Sequence, residues 1–91
     1  MLDAVAHVPE HVVHRTFEAE TLLLNLDTGQ YHGLNPVAGR MLTVLDKVGS
    51  VETAAQQLAK EFEQPLERIE DDLTGLCEGL LERKLLEIRT A

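Results

Sequence analysis

The sequence predicts an α+β domain in which a three-stranded antiparallel sheet is followed by a three-helix winged helix-turn-helix. Apolar residues recur with a period of two as far as Leu34 and with a period near 3.6 from Pro36 onward, which is the change expected where strands give way to helices. The 91 residues contain no internal repeat and no linker rich in Gly, Pro or Ser. We therefore expect a single domain over residues 1–91.

Three short strands are predicted before the helices, at residues 11–16, 21–26 and 30–34. Strict alternation in the second strand places three leucines on one face: Leu22, Leu24 and Leu26. The segment Asp27-Thr28-Gly29 suits a three-residue hairpin in which Gly29 takes the left-handed conformation that other residues resist. A weaker turn is predicted at residues 18–20. A meander of this order leaves the third strand at an edge of the sheet.

The first helix is predicted over residues 36–48. Asn35 is a suitable N-cap, and Pro36 occupies the first helical position, where its missing N–H has no helical partner to lose. Gly49 ends the helix. The residues expected on its apolar stripe are Val37, Ala38, Met41, Leu42 and Leu45.

Two further helices follow, and both are amphipathic. Ser50 is a suitable cap for the second, whose apolar residues are Val51, Ala54, Ala55, Leu58, Ala59 and Phe62. Pro65 begins the third, which is expected to reach Lys84. Its apolar face consists of Leu66, Ile69, Leu73, Leu76, Cys77, Leu80 and Leu81. The tail at residues 85–88 is open to forming a fourth strand or a wing.

The charge balance disfavours a nucleic-acid partner. The chain has 16 Asp and Glu residues against 8 Lys and Arg, for a formal net charge of −8, and both halves are acidic. Phosphate backbones are bound through lysine and arginine, and the third helix, which would enter the major groove, is mainly acidic. One cysteine permits no intrachain disulfide, and no stretch resembles a secretion signal or a membrane span, so we expect a cytoplasmic protein without membrane partners.

No catalytic or metal-binding pattern is present. The phosphate-binding, dinucleotide and nucleophile-elbow motifs are missing, so we expect a binding protein with no catalytic residues and no cofactor. Cys77 lies between leucines and is expected in the core. The four histidines, His7, His11, His14 and His32, do not have the spacing of metal ligands. The acidic run at residues 70–72 is typical of a solvated helix face.

The predicted edge strand is a candidate peptide-binding site. Its residues, Gln30, Tyr31, His32, Gly33 and Leu34, include none of the lysines, prolines or charges that usually protect an exposed edge. Such an edge can accept a peptide as an additional strand. If the third helix packs over the sheet, Ile69, Leu73 and Leu76 would form the floor of the groove. The alternatives are that Tyr31 and Leu34 simply fill the core, or that the edge pairs with a second copy of the chain.

Most of the chain resembles one protein family. The string LDTGQYHGLNPVAGRML (residues 26–42), the helix SVETAAQQLAKEF and the proline-started segment PLERIEDDLTGLCEGLLERKLLEI resemble the PqqD-like family of RiPP recognition elements. The segment with Tyr31 followed by Gly33-Leu34-Asn35-Pro36 is most similar to the stand-alone leader-binding proteins of lasso-peptide biosynthesis. The similarity extends from about residue 11 to residue 88.

The resemblance implies a function. Members have no catalytic activity and no cofactor, and they bind the leader of a ribosomally made precursor peptide as an added strand beside the third helix. In lasso systems they present it to a cysteine protease, which removes the leader, and to an asparagine-synthetase-like cyclase. A PqqD-type member would instead serve a radical SAM enzyme. By position, the edge falls on Gln30 to Leu34 and the helical wall on Ile69, Asp72, Leu73 and Leu76.

Two expectations concern charge and the end of the third helix. An acidic receptor favours a leader with Lys or Arg near its binding segment, and Asp71 and Asp72 are expected to steer it. Relatives commonly have a glycine where this chain has Lys84. A residue other than glycine in the left-handed conformation lowers folding stability by about 1 kcal/mol, so we expect this helix to end differently from those of the relatives.

Overall fold

A computed structural model of the chain describes residues 2–90. Its elements are β1 (Ala4–His7), β2 (Val12–Phe17), β3 (Glu20–Asn25), β4 (Tyr31–Leu34), α1 (Pro36–Val48), α2 (Val51–Phe62), α3 (Leu66–Glu82) and β5 (Glu87–Thr90). Strands β2, β3 and β4 form an antiparallel sheet in that order, and β1 and β5 form a second sheet. The predicted three-stranded sheet followed by three helices is confirmed.

The two faces of the three-stranded sheet differ in burial. The inner face presents Leu23, which is fully buried, and Thr21, which lies beside α1. Leu22 and Leu24 share the outer face, as alternation predicted. Leu26 lies outside the strand, because β3 ends at Asn25.

Both hairpin turns use left-handed residues. Gly29 has φ +76°, as predicted, but the loop that it closes has four residues, Leu26–Gly29, and not three. The Asn25 N–H donates to the Gln30 carbonyl at 3.0 Å, and Asn25 Oδ1 accepts from the Asp27 N–H at 2.9 Å, so the chain leaves the strand one residue earlier than expected. The other turn consists of Glu18 and Ala19, both with positive φ. Two left-handed residues match the twist of paired strands.

The helix starts follow the predicted caps. Asn35 Oδ1 accepts from the Ala38 N–H at 2.8 Å, and Ser50 Oγ accepts from the Thr53 N–H at 3.2 Å. These bonds satisfy N–H groups that have no partner inside the helix. Val37 does not join the apolar stripe of α1, since its exposed fraction is 54%. Within residues 2–90, no helix is long and apolar enough to cross a membrane.

Helix α1 packs closely against β3 at Gly39. Gly39 is buried, and a Cβ atom built on it would lie 2.9 Å from Cβ of Thr21. Separations below 3.0 Å essentially never occur for real Cβ atoms. A side chain at residue 39 would therefore push α1 away from the sheet.

Helix α3 ends at Glu82, two residues before the predicted end, and Lys84 follows with φ 59°. The Leu85 N–H donates to the Leu80 carbonyl at 2.9 Å, and the Lys84 N–H donates to the Leu81 carbonyl at 3.0 Å. These two bonds define a Schellman ending. The expectation of a different ending is thus wrong. Burial of Leu85 and Leu86 after the turn holds Lys84 in the left-handed conformation.

The tail returns as a strand, but it does not join the three-stranded sheet. β5 pairs with β1, with Ala6 opposite Ile88. Sequence analysis did not predict β1, which is short and built on alanines with low strand propensity. Ala4 and Ala6 are nevertheless buried, and the Ala6 N–H donates to the Gly49 carbonyl at 2.8 Å.

Candidate functional site

Strand β4 lies at an open edge, since it pairs only with β3. The bond from the Asn25 N–H to the Gln30 carbonyl fixes which pairs of the ladder are hydrogen-bonded. Bonded and non-bonded pairs alternate along antiparallel strands, so the peptide groups of His32 and Leu34 face β3. The N–H and C=O groups of Tyr31 and Gly33 therefore point away from the sheet.

The side chains of β4 divide between the two faces of the sheet. Leu34 is 7% exposed and belongs to the core, whereas Tyr31 is 70% exposed on the outer face. The alternative that both residues fill the core therefore holds for Leu34 only. His32 is half-buried on the inner face, opposite Leu23, and Gly33 is exposed.

A cleft of about 110 Å³ separates the start of β4 from the end of α3; we call it the edge cleft. One side is formed by the hairpin and β4, and the other by Arg83 and Leu85 in the turn that follows α3. The lining residues are Asn25, Gln30, Tyr31, His32, Arg83 and Leu85. Sequence reasoning placed only the residues of the edge strand here. Nothing in the local sequence marked Arg83 as a site residue, because Arg83 comes to lie opposite β4 only through tertiary packing.

The predicted helical wall is only partly accessible. Ile69 and Leu73 are 2% and 0% exposed and lie in the core, where α3 packs against α2. They do not form the open groove floor that was expected, because the second helix covers the same apolar face. Leu76 is half-buried, and Asp71 and Asp72 are exposed.

One line of residues runs along α3 to Arg83, the residue that follows the helix. Asp72, Leu76, Gly79 and Arg83 follow the spacing i, i+4, i+7 and i+11, which places them on one side of a helix. We call this line the α3 stripe, and its last member, Arg83, lines the edge cleft. A Cβ atom on Gly79 would meet nothing within 4 Å, so space is open beside it.

The pKa values of one group in the edge cleft and one group in the core are shifted. Burial, with a further contribution from the positive charge of Arg83, lowers the pKa of His32 from its ordinary value of 6.5, so the ring is neutral at pH 7. Burial, with a smaller contribution from Glu78, raises the pKa of Cys77 to about 11. Cys77 is fully buried and is a thiol at neutral pH, in agreement with its predicted place in the core.

The other histidines have separate partners. His7 Nε2 lies 2.9 Å from Glu87 Oε2, His14 Nε2 lies 3.6 Å from Asp46 Oδ2, and His11 Nε2 lies 3.0 Å from the Lys84 carbonyl oxygen. Across residues 2–90, no three His, Cys, Asp or Glu side chains are grouped so as to hold a metal ion.

The outer face of the three-stranded sheet carries an apolar surface that sequence analysis did not assign. A shallow depression is lined there by Val13, Arg15, Phe17, Leu22, Leu24 and Tyr31. We call its five apolar members the outer patch. Phe17 is 58% exposed, and Val13 and Leu22 are also exposed. Clustered exposed apolar residues are typical of interaction surfaces.

The fold and the open sheet edge together define a winged helix-turn-helix domain with an N-terminal antiparallel sheet. The model of the family described as coenzyme PQQ synthesis protein D (PqqD) matches residues 20–86. The chain belongs to the PqqD family.

Three solved structures share the fold. TbiB1, determined in complex with the TbiA(beta) leader peptide, is 28% identical with a TM-score of 0.82, over 89% of this chain and 94% of that one. A lasso peptide synthetase B1 complexed with the leader peptide is 23% identical with a TM-score of 0.80, over 90% and 96%. The PqqD truncation of Methylobacterium extorquens PqqCD, a stand-alone RiPP recognition element, is 26% identical with a TM-score of 0.74, over 91% and 88%. Among curated proteins, none matches in sequence.

Proposed function

We propose that this protein is a non-catalytic recognition protein that binds the leader of a ribosomally made precursor peptide as an additional strand on β4. The observation that carries the proposal is the open edge of β4, where the peptide groups of Tyr31 and Gly33 point away from the sheet and Tyr31 lines a cleft bounded on its other side by Arg83 and Leu85. TbiB1, at 28% identity, was solved with a leader peptide bound, which supports the same role here.

Binding by strand addition assigns a role to each part of the site. The peptide groups of Tyr31 and Gly33 supply the hydrogen bonds of the new ladder, with Gln30, His32 and Leu34 holding the strand in place. Alternate residues of the leader point toward α3 and meet the α3 stripe at Leu76. Ile69 and Leu73 act from the core by fixing the position of α3.

Charge adds steering to this recognition. Asp71 and Asp72 are exposed on α3 in a molecule of net charge −8. A leader with Lys or Arg near its binding segment is therefore attracted before contact, and added salt slows its association more than it weakens the final complex.

The proposal is tested by amide hydrogen exchange of the protein alone and in complex with a leader peptide that it binds. We expect the N–H groups of Tyr31 and Gly33 to exchange rapidly in the free protein and slowly in the complex, since only the leader provides their acceptors. The exposed N–H of Glu67 in the first turn of α3 is the internal reference. Unchanged exchange at Tyr31 and Gly33 in a saturated complex would contradict the proposal, and sedimentation of the free protein tests pairing of this edge with a second copy.

We further propose that the bound leader is delivered to a cysteine protease and an asparagine-synthetase-like cyclase in the cytoplasm. The outer patch supports this step, because it leaves an apolar surface free on the side of the sheet opposite the helices. Strand addition at β4 extends that same face, so a processing enzyme docked there lies next to the leader.

A charge introduced into the outer patch is expected to impair delivery of the leader to the protease while leaving binding of the leader nearly unchanged. Leu22→Lys places an ammonium group at the centre of the patch and should reduce leader removal by the protease about tenfold or more, while the Kd for the leader changes less than about twofold. Val37→Lys, at an exposed valine of α1 outside the patch, is the matched control and should retain full processing. Equal processing of the two variants would exclude the outer patch as the docking surface.

A further inference from the structure

The edge cleft is rich in hydrogen-bond donors, although the molecule as a whole is acidic. Arg83 lines it and forms no ion pair with a carboxylate anywhere in residues 2–90. Arg40 shows the contrasting case, since its guanidinium donates to both oxygens of Glu61 at 2.7 and 2.6 Å. The guanidinium of Arg83 thus remains available to a ligand in the cleft.

Two neighbours of Arg83 in the edge cleft, Asn25 and His32, also favour a ligand that accepts hydrogen bonds. Asn25 Oδ1 already accepts from the N–H groups of Asp27 and Thr28 at 2.9 and 3.3 Å, so the free hydrogen-bonding group of Asn25 is its NH₂ donor. Burial, with a further contribution from the positive charge of Arg83, lowers the pKa of His32, so Arg83 lies close enough to act on that ring. The edge cleft therefore offers a guanidinium and an amide NH₂ group as donors to a ligand.

We infer that the edge cleft binds a carboxylate side chain of the leader, an aspartate or a glutamate, and that Arg83 is the residue that selects it. The inference rests on the proposed function and specifies which side chain the added strand places beside His32. A guanidinium binds a carboxylate through two parallel hydrogen bonds, which gives geometric as well as electrostatic preference.

The charges at the two ends of the α3 stripe also select the direction of the leader. Asp72 and Arg83 are separated by eleven residues of sequence, or about 16 Å along a helix axis. In one strand direction, the basic residue of a leader that carries both charges lies near Asp72 and its acidic residue lies near Arg83, so both pairs attract. In the opposite direction, both pairs repel. The cleft therefore favours an acidic residue even though the receptor as a whole attracts basic leaders.

The test uses a phage-displayed library of random peptides selected against the full-length chain. Peptides selected on the wild type should share an Asp or Glu at one position relative to their apolar anchors. This preference should disappear on Arg83→Gln and persist on Arg68→Gln, a matched loss of an exposed arginine at the other end of α3. In a selected peptide, replacing the acid by its amide should weaken binding to the wild type about five- to tenfold, and to Arg83→Gln less than about twofold.

The outcomes separate this inference from the proposed function. Selected peptides that shift the amide resonances of Tyr31 and Gly33 but show no acidic preference, or the same preference on Arg83→Gln, overturn the inference and leave strand addition standing. Selected peptides that leave those amide resonances unchanged overturn the proposed function itself. Arg83 is an exposed residue beyond the end of α3, and circular dichroism of Arg83→Gln confirms that the variant is folded.

Discussion

Gly33→Pro is expected to weaken leader binding strongly and leave the domain folded. The N–H of Gly33 points to the open edge, so proline removes no bond within the sheet, and proline is tolerated on edge strands for this reason. The leader loses one ladder hydrogen bond, keeps an unsatisfied carbonyl and meets the proline ring. We expect a loss of about 2–4 kcal/mol of binding free energy, or roughly 30- to 1000-fold in Kd, measured by isothermal titration calorimetry.

The matched control for this substitution is Gly33→Ala. A Cβ at residue 33 would lie 3.8 Å from Leu22 Cδ2, an ordinary contact, and alanine keeps the N–H. Gly33→Ala should bind within about threefold of the wild type. His32→Pro provides the opposite comparison, because the His32 N–H faces β3, and its loss should destabilise the sheet itself. Wild-type affinity of a folded Gly33→Pro would exclude hydrogen bonding of the leader to this edge.

Gly39→Ala is expected to destabilise the protein, although alanine is the better helix former. The added methyl group would lie 2.9 Å from Cβ of Thr21, so α1 has to move away from β3. Overpacking of this kind costs about 1–3 kcal/mol after relaxation, and contact with Cβ of Thr21, which cannot rotate away, places this site toward the upper value. The decrease in the free energy of unfolding is measured by urea titration.

Gly75→Ala is the matched control, because it makes the same chemical change inside a helix. A Cβ at residue 75 would meet nothing within 4 Å, so the substitution should raise the free energy of unfolding by about 0.5–1 kcal/mol through backbone entropy alone. The two variants should therefore change stability in opposite directions. A Gly39→Ala variant as stable as Gly75→Ala would show that α1 does not depend on close contact with Thr21.

Most of the fold could be predicted from local patterns. The change in apolar period, the Asn35-Pro36 start and the Ser50 cap each act within a few residues, and the structure places the corresponding elements where these signals predicted them. β1 escaped prediction because its burial comes from pairing with β5 at the other end of the chain. Nothing in the local sequence of β1 indicates that pairing.

The site was harder to predict from the sequence than the fold. The edge position followed from the order of the three-stranded meander, and the lack of charged or proline residues indicated that the edge is unprotected; the structure places β4 at an edge. The apolar residues Ile69 and Leu73 were assigned to the groove, but an apolar pattern does not distinguish a face covered by another helix from an open one. Arg83 joins the edge cleft only through the packing of α3, which no spacing in the sequence specifies.

The pairing of β1 with β5 has a practical consequence for engineering. Ala4 lies directly opposite Thr90 in the register, so the two ends of the described chain run side by side as neighbouring strands, about 5 Å apart. A short glycine linker from Thr90 to Ala4 would join the two strands as a hairpin, and new termini opened at the loop between α2 and α3 would yield a circular permutant of residues 4–90 that keeps both sheets and all three helices.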